Sequence, residues 1–441
     1  MRVLIAGGGI GGLAAALACS ISGNDVQLFE RAAEIAVAGA GIQLGPNAVR
    51  LLHGWGLANA LKSVAAFPDC LQVRSALTGN TLGTLSLGAS AVQRYGHPYA
   101  TVHRADLHGL LLAALTPYPQ TTLQRNAGVD AFVQDAHGVS VQLGSESVSG
   151  TDRQVDRETN HKTGRKAGRN LASETAREWA GGAAGRPQLH GDLLVGADGL
   201  WSQVRSQLLN DGPPIATGHL AYRALVPQAS LPQTLRSGHI PAWLGPKLHV
   251  VQYPVRGGAW LNVVGIIHGR VEGACDNWNH AANAASLRAA LTGMCAPLQD
   301  LGHAIDTWRL WALCRRAPMR GAHQQAQGRV ALLGDAAHPM LPYLAQGAGM
   351  AIEDAAELGL CLSQNREANL DSDSDITTRL QRFAHARWQR NARVQARALR
   401  NGQIFHASGL MQWGRDLSMK LLGERVLDVP WLYRTAGHSR Q

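Results

Sequence analysis

The sequence predicts an α/β fold, in which a Rossmann-like parallel sheet is interleaved with a mixed or antiparallel sheet and followed by a helical C-terminal segment. Residues 2–30 read as strand, glycine-rich turn, helix and strand, the βαβ order that builds a parallel sheet. Residues 218–227 and 248–264 alternate with a period of two, and Gly257-Gly258 marks a hairpin turn. The apolar run 330–333 is typical of a buried parallel strand, so the chain returns to the first sheet there.

The turn after the first strand contains the motif Gly7-x-Gly9-x-x-Gly12, and Glu30 stands at the end of the second strand. Glycines let the backbone approach a pyrophosphate, the helix N-terminus attracts phosphates, and the acid accepts hydrogen bonds from a ribose. Strand, turn, helix, strand and terminal acid agree, which favours a dinucleotide site over a merely structural turn. An acid at this position predicts a free ribose 2′-hydroxyl, as in FAD or NAD.

Residues 328–354 form a second candidate wall of a cofactor site. Gly334-Asp335 follows the strand directly, at the carboxyl end where open α/β sheets bind ligands. A turn with two prolines then leads to Gly347 and Gly349, which open a helical run. A carboxylate suits ligand hydroxyls and a helix N-terminus stabilises an anion. An ordinary helix-entry turn is the alternative for the two glycines.

Composition narrows the possible partners. The 441 residues predict two or three subdomains, and the net charge is +10. Seven arginines and no acid lie at helical spacing within residues 377–400. We favour a solvated or subunit-facing helix over a nucleic-acid stripe, and expect no nucleic-acid partner, because no nucleic-acid module accompanies them. The six scattered cysteines lack a CxxC pair, which predicts no metal site and fits a reducing cytoplasm.

Two segments need a separate interpretation. The apolar N-terminal run is rich in glycine and continues into a strand, so we reject a signal peptide. No run reaches transmembrane length, which predicts a cytoplasmic protein without membrane insertion. Residues 145–189 are polar and mixed in charge, and they predict a long, partly disordered surface excursion, with a functional lid as the alternative.

Three motifs in this order resemble the single-component FAD-dependent aromatic hydroxylases, which have the para-hydroxybenzoate hydroxylase fold. They are the first glycine motif with Glu30, the Asp198-Gly199 pair in GADGLWSQVR, and the Gly334-Asp335 pair in LLGDAAHP. HRADLH, AYRALVP, YPVRGG and PYLAQGAGMAIEDA extend the similarity over most of the chain, apart from residues 145–189 and the last residues. Salicylate, 3-hydroxybenzoate and 6-hydroxynicotinate hydroxylases are the most similar members, although Gln43 stands where some nicotinate-type relatives carry histidine.

The resemblance implies a division of the chain and a small assembly. The FAD-binding domain would comprise residues 1–66, 96–210 and 315–365, and the substrate domain residues 67–95 and 211–314. Residues 366–441 would form a C-terminal helical region. The protein would be a monomer or a homodimer.

The resemblance also implies the contacts to FAD. The ADP half would be held by Gly9, Gly12, Glu30 and Arg31, with Val129 contacting adenine through its backbone.

The flavin half would have a second group of contacts. Arg104 would reach the flavin or the pyrophosphate, Asp198 belongs to a motif linked to both FAD and NAD(P)H, and Asp335 would accept a ribityl hydroxyl. Gly347 and Ala348 would offer N–H groups to the pyrimidine edge, which becomes anionic on reduction.

The reaction implied is hydroxylation of a small activated aromatic ring, such as a phenol or hydroxybenzoate. NAD(P)H would reduce FAD, the reduced flavin would trap O2 as a C4a-hydroperoxide, and the ring would attack the distal oxygen. A second GxGxxG is absent, so NAD(P)H would bind transiently without its own Rossmann domain. The choice between NADH and NADPH stays open.

No single catalytic base stands out from the sequence. His219 and Tyr222, on a strand expected to face the ring, are the best candidates, and Pro339 fixes the turn beside the flavin. Arg223 would bind a substrate carboxylate or touch the flavin, and Tyr343 and Gln346 would line the same pocket. Each of these residues can also be an ordinary structural residue.

Two other functions remain as alternatives. One is a flavin-dependent reductase or other non-oxygenating oxidoreductase of the same fold; a halogenase is disfavoured because WxWxIP is absent. The other is a non-catalytic regulator that binds a dinucleotide, favoured only by the arginine stripe.

Overall fold

The computed structural model describes residues 1–34, 40–144, 188–270, 280–281, 284–363 and 375–434. Its strands are β1 (Arg2–Ala6), β2 (Asp25–Phe29), β3 (Gly41–Leu44), β4 (Cys70–Ser75), β5 (Thr81–Ser86), β6 (Ala100–His103), β7 (Thr121–Gln124), β8 (Gly128–Gln134), β9 (Val139–Gly144), β10 (Gln188–Gly191), β11 (Leu193–Gly196), β12 (Ile215–Pro227), β13 (Ile240–Gly245), β14 (Leu248–Val255), β15 (Trp260–His268), β16 (His280–Ala281), β17 (Arg309–Arg315), β18 (Ala326–Gln327) and β19 (Val330–Leu332). Its α-helices are α1 (Ile10–Ile21), α2 (Pro46–Gly54), α3 (Ala58–Val64), α4 (Gly88–Tyr95), α5 (Arg104–Ala113), α6 (Gln203–Leu209), α7 (Ala284–Leu291), α8 (Ala296–Ala304), α9 (Gly347–Leu362), α10 (Ile376–Phe405), α11 (Gly409–Leu422), α12 (Glu424–Leu427) and α13 (Pro430–Tyr433).

A six-stranded sheet in the order β18-β19-β11-β1-β2-β7 forms the first layer, and only its β18–β19 pair is antiparallel. Helices cover one face and the antiparallel sheet β10-β9-β8 covers the other, so its central strands are apolar throughout. Ala6 pairs with Gly196, and Gly196 with Leu332. The three motifs that follow these strands therefore lie next to one another at one edge of the sheet.

Helices α1 and α9 run side by side in the same direction against this sheet. Near their N-termini, a Cβ on Gly11 would lie 3.5 Å from the Cβ of Ala351. Near their C-termini, a Cβ on Gly359 would lie 2.8 Å from the carbonyl oxygen of Ala18, a separation that only glycine permits. The Ser22 hydroxyl also donates to the Gly359 carbonyl at 2.8 Å. Both helices thus start at the edge where the strands end.

An eight-stranded sheet in the order β16-β17-β12-β15-β14-β13-β4-β5 forms the second layer. Its pairs are antiparallel except β13–β4, as the predicted mixed or antiparallel sheet requires. The strands come from residues 70–86 and 215–315, with the short helices α7 and α8 packed on one face. The domain boundaries given above remain a proposal.

The arginine-rich helix α10 differs from the solvated helix that the sequence suggested. Arg387 is buried, and its Nη1 and Nε lie 2.9 Å from Glu353 Oε2 and 2.8 Å from Asp354 Oδ1. Arg390 Nε lies 2.6 Å from Glu353 Oε2. These two arginines face inward because helix α9 buries two adjacent carboxylates that need compensating charge. The acids lie outside the arginine run itself, which is why the sequence did not indicate the pairing.

Two further expectations concern the polar surface excursion and the absence of a membrane-spanning segment. Residues 145–187, most of the predicted surface excursion, lie outside the described residues. Within the described parts, no helix is both long enough and apolar enough to span a bilayer.

Candidate cofactor and substrate cavity

A cavity of about 570 Å³ lies between the two sheets, at the edge where β1, β11 and β19 end. Many of the predicted site residues line it: Gly9, Glu30, Arg31, Arg104, Val129, Asp198, Arg223, Asp335, Gln346, Gly347 and Ala348. The remaining predicted residues do not: Gly12, His219, Tyr222, Pro339 and Tyr343.

The glycine turn has one residue that faces the cavity and one that packs the turn. A Cβ on Gly9 would have no atom within 4 Å, so the backbone there is open to a ligand. A Cβ on Gly12 would overlap the carbonyl oxygen of Gly7. Gly12 therefore permits the close approach of helix to turn and is not itself part of the cavity wall, which corrects its predicted place among the ligand contacts.

Glu30 is held at the end of β2 by backbone donors. Its Oε2 accepts from the N–H of Gly8 at 2.7 Å, and its Oε1 accepts from the N–H of Ala32 at 2.9 Å. Each oxygen keeps further acceptor capacity toward the cavity. The carboxylate is thus fixed where a ribose could bind.

The carboxylate of Asp198 is committed to its own turn. Oδ1 accepts from the Ser202 hydroxyl at 2.6 Å, and Oδ2 accepts from the N–H groups of Gln203 and Val204 at 2.7 and 3.2 Å. Burial raises the pKa of this carboxyl, and these donors oppose the rise. Asp198 therefore shapes the start of helix α6 as well as the cavity edge.

Asp335 and Arg104 both line the cavity, and the charge of Arg104 acts on the Asp335 carboxyl. Burial raises the pKa of the Asp335 carboxyl, while the Arg104 charge, the His338 ring and the Met340 N–H lower it. Asp335 follows β19 in a tight turn that begins at Gly334 with a φ of +57°. A carboxylate here is positioned to accept hydrogen bonds from ligand hydroxyls.

The N-terminus of helix α9 supplies N–H donors. A Cβ on Gly347 would meet nothing within 4 Å, so the first turn is open to the cavity. Gln346 precedes it, and its Oε1 accepts from Asn47 Nδ2 at 3.1 Å. The Gln346 Nε2 is buried without a hydrogen-bond partner within the described structure. A buried unpaired donor beside a helix N-terminus is chemically suited to an electron-rich ligand edge.

The opposite wall is one face of the eight-stranded sheet. His249 pairs with Ile266, and Val264 pairs with both Val251 and Arg223; all five side chains line the cavity. Sequence reasoning missed His249, although the period-two pattern of 248–264 would have placed it on one face with 251 and 253. It is 3% exposed, and burial lowers its pKa to about 3.

Arg223 brings a cation to this wall. Its guanidinium carbon lies 4.0 Å from the centre of the Trp311 ring. Its Nε is shielded from solvent and has no hydrogen-bond partner among the described residues. Burial lowers the pKa to about 10, so the group stays positively charged at neutral pH.

Tyr222 was predicted to face the ring, and the structure contradicts this. Neighbouring side chains on a strand point to opposite faces, so Tyr222 cannot share a face with Arg223. It is 1% exposed and packs in the cluster with Leu287 on the far side of the sheet, where it hydrogen-bonds to Ser286. It is therefore a core residue.

His219 and Tyr343 lie behind the cavity wall instead of on it. His219 Nδ1 and the Tyr343 hydroxyl are hydrogen-bonded to each other. The Tyr343 ring packs against Gly402 of helix α10, and its carbonyl accepts from Asn401 Nδ2 at 3.1 Å. Neither side chain lines the cavity, because His219 lies toward the start of β12, away from Arg223.

Pro339 is also displaced from the cavity. Its carbonyl accepts from Gln395 Nε2 at 3.4 Å, so it faces helix α10. Met340 and Pro342 line the cavity in its place. Pro339 therefore shapes the turn without lining the cavity.

The arrangement fits an extended dinucleotide that ends in an electron-rich ring system. Gly9 and Glu30 lie in one part of the cavity wall, and Asp335 lies beside the middle strands. The N-terminus of helix α9, with the unpaired Gln346 donor, lies in another part of the wall. The sheet face with His249 and Arg223 forms the opposite wall of the same cavity.

Comparisons with known proteins agree with this arrangement. The family described as "FAD binding domain" matches residues 1–158 and 158–372. The chain is 34% identical to the 3-hydroxybenzoate 6-hydroxylase of Polaromonas naphthalenivorans, over 98% of this chain and 96% of that protein. It is 30% identical to the 6-hydroxynicotinate 3-monooxygenase of Bordetella bronchiseptica, over 87% and 90% of the two chains.

A solved structure shares the fold. The crystal structure of Klebsiella pneumoniae HpxO complexed with FAD and uric acid superposes with a TM-score of 0.75 at 24% identity, over 97% of this chain and 94% of that chain.

Proposed function

Because the chain belongs to the FAD-binding domain family and is an FAD-dependent aromatic monooxygenase, we propose that it hydroxylates a six-membered ring carrying both a hydroxyl and a carboxylate. The two relatives named above act, by name, on 3-hydroxybenzoate and 6-hydroxynicotinate, which share these two groups. Monooxygenases among the relatives disfavour the reductase and regulator alternatives. NAD(P)H and O2 are the proposed co-substrates.

We propose that the cavity residues divide FAD between them. Gly9, Glu30, Arg31 and Val129 would hold the ADP half. Arg104, Asp198, Asp335, Gly347 and Ala348 would hold the pyrophosphate, ribityl and flavin parts. Bound FAD supplies the redox chemistry with NAD(P)H and O2, which no side chain can provide.

The buried cation on the sheet face is the observation that carries the substrate proposal. Arg223 has an unpaired, solvent-shielded Nε and rests on Trp311, so a carboxylate would complete its hydrogen bonding. Gln346, with its own unpaired amide donor, lies on the same cavity and would orient the ring.

His249 is the proposed base for the substrate hydroxyl. It stands two strands away from Arg223, about 10 Å across the sheet at roughly 4.8 Å per strand. A long arginine side chain and an imidazole can therefore bracket one aromatic acid. Removing the phenol proton makes the ring more nucleophilic, and the low pKa of His249 keeps its ring neutral and able to accept.

A pair of substrates tests this assignment. Wild-type enzyme should hydroxylate 3-hydroxybenzoate faster than 3-hydroxybenzyl alcohol, which lacks the carboxylate. Arg223→Gln should raise KM for the acid about 10- to 100-fold, as expected for loss of a charged hydrogen bond of roughly 1.5–3 kcal/mol. KM for the alcohol should stay unchanged.

Arg425→Gln is the matched control, because Arg425 is exposed and outside the cavity. Loss of FAD from Arg223→Gln, or an equal effect on both substrates, would show that Arg223 serves the flavin. Failure of wild type to oxidise NADH or NADPH faster with any hydroxylated aromatic acid would contradict the proposed function.

Three finer properties are part of the same proposal. NADH or NADPH would bind transiently, since the sequence offers one GxGxxG motif only. The protein would act in the cytoplasm as a monomer or homodimer.

A further inference from the structure

Three histidines from separate segments form a hydrogen-bonded chain that starts at the cavity wall. His249 Nδ1 lies 2.7 Å from His406 Nε2, and His406 Nδ1 lies 3.0 Å from His268 Nε2. His249 lines the cavity, His406 is buried after the end of helix α10, and His268 is exposed at the end of β15. The chain therefore connects the cavity to solvent through two consecutive hydrogen bonds.

The pairing of donors and acceptors sets the tautomers. A neutral imidazole has one N–H donor and one acceptor nitrogen, so both hydrogen bonds must point the same way along the chain. In one direction, His249 donates from Nδ1 to His406, and His406 donates from Nδ1 to His268. That direction leaves His249 Nε2 as a free acceptor at the cavity end and His268 Nδ1–H as a donor at the surface end.

The surroundings keep these rings neutral. Burial and the neighbouring His219 together lower the pKa of His249 to about 3, and burial and the neighbouring histidines together lower the pKa of His406 to about 2. The charge of Lys247 lowers the pKa of His268, and the charge of Arg415 lowers the pKa of His406. His219 stacks on His268 with ring centres 4.5 Å apart and adds another imidazole. A proton that enters this cluster is therefore passed on instead of being retained.

We propose that His249, His406 and His268 relay the phenolic proton of the bound substrate from the cavity to solvent. This inference rests on the proposed function, which supplies that proton.

The transfer conserves protons and moves no electrons between groups. The substrate O–H bond breaks as a bond forms to His249 Nε2, and the Nδ1 proton of His249 passes to His406 Nε2. The Nδ1 proton of His406 passes to His268 Nε2, and the Nδ1 proton of His268 leaves to water. The three rings end neutral in the opposite tautomers, and the reverse transfer restores them when water supplies a proton to His268 Nδ1 and His249 Nε2 releases one into the cavity.

A pH jump on the oxidised, FAD-loaded protein without NAD(P)H measures this step apart from turnover. The probe is 3-hydroxy-4-nitrobenzoate, whose bound phenolate absorbs differently from the phenol. His268→Gln and His406→Gln should slow formation of the bound phenolate tenfold or more, within the range of lost acid–base assistance. Ligand affinity and the equilibrium pKa of the bound phenol should stay close to wild type, because a relay affects only the rate.

Two controls isolate the relay from folding. Added imidazole should restore the rate in His268→Gln, whose gap is open to solvent, and His239→Gln should behave as wild type because that histidine is exposed elsewhere. Nitrogens of His219, His268 and His406 lie within 4.8 Å of one another and could capture a metal ion, so the buffer contains EDTA.

Unchanged phenolate rates in both His268→Gln and His406→Gln, with normal FAD content, would overturn the relay and leave the proposed function intact. Failure of wild type to bind the probe or any hydroxybenzoate would overturn both proposals together.

Discussion

Arg387 Nε lies 2.8 Å from Asp354 Oδ1 inside the protein, where helix α10 crosses helix α9. Burial raises the pKa of Asp354, but the charges and hydrogen bonds of His338 and Arg387 outweigh it and hold the pKa well below its ordinary value. His338 stands four residues after Gly334, whose N–H also bonds to Asp354 at 3.2 Å. Helix α10 therefore stabilises the turn that carries Asp335.

Removing that arginine charge should be costly. We expect Arg387→Met to lower the free energy of unfolding by about 3–5 kcal/mol, because it removes the cation that two buried carboxylates share and leaves Asp354 only His338, and Glu353 only Arg390, as a basic partner. Urea denaturation followed by circular dichroism measures the loss. Arg382→Met, at an exposed position of the same helix, should change stability by less than about 0.5 kcal/mol. Similar values for the two variants would contradict the structural role of Arg387.

The tight approach at Gly12 should be intolerant of a methyl group. Gly12→Ala would drive its Cβ into the Gly7 carbonyl, so we expect roughly 1–3 kcal/mol of destabilisation and loss of bound FAD. Gly109→Ala, at an exposed position of helix α5 where an added Cβ would meet no atom within 4 Å, should instead stabilise by up to about 1 kcal/mol. Thermal unfolding and the flavin-to-protein absorbance ratio distinguish the outcomes, and full FAD content in Gly12→Ala would refute the prediction.

The carboxylate of Asp335 should matter for cofactor retention more than for folding. Asp335→Ala removes an acceptor on the cavity wall, so the purified variant should hold FAD weakly while its urea midpoint without FAD stays near that of wild-type apoprotein. Dialysis followed by flavin fluorescence gives the affinity. Undiminished yellow colour after dialysis would rule out a ribityl contact through this side chain.

The neutral histidine cluster predicts a pH dependence of stability. An unfolded histidine binds its proton below about pH 6.5, whereas folded His249 does so only near pH 3, so the unfolded state binds more protons in between. Stability is therefore fully present above pH 6.5 and falls as the pH drops, by up to about 1.4 kcal/mol per unit for each such histidine. His249→Gln should flatten the slope between pH 7 and 5, and His239→Gln should not.

Much of the cofactor side could be predicted from the chain, because its signals are local. The glycine motif, Glu30 and Asp335 each follow a strand directly, and parallel strands bring such positions to one edge. Local patterns also placed the hairpin at Gly257 and the helix that starts at Gly347.

The substrate side was harder because it depends on register between distant strands. Tyr222 and Arg223 are adjacent in sequence yet face opposite layers, and only the pairing of β12 with β15 decides which layer is the cavity. His249 and His406 are 157 residues apart, so no local pattern indicates their hydrogen bond. The inward direction of Arg387 likewise depends on acids in another helix.

The parallel packing of helices α1 and α9 has a consequence for cofactor choice. Their closely fitted contact at Ala18 and Gly359 fixes the spacing between the two helix starts that we propose bind the phosphates and the flavin. FMN, which lacks the adenylate half, would engage only one part of that span. The protein should therefore discriminate against FMN by length, before any contact with the adenine base is considered.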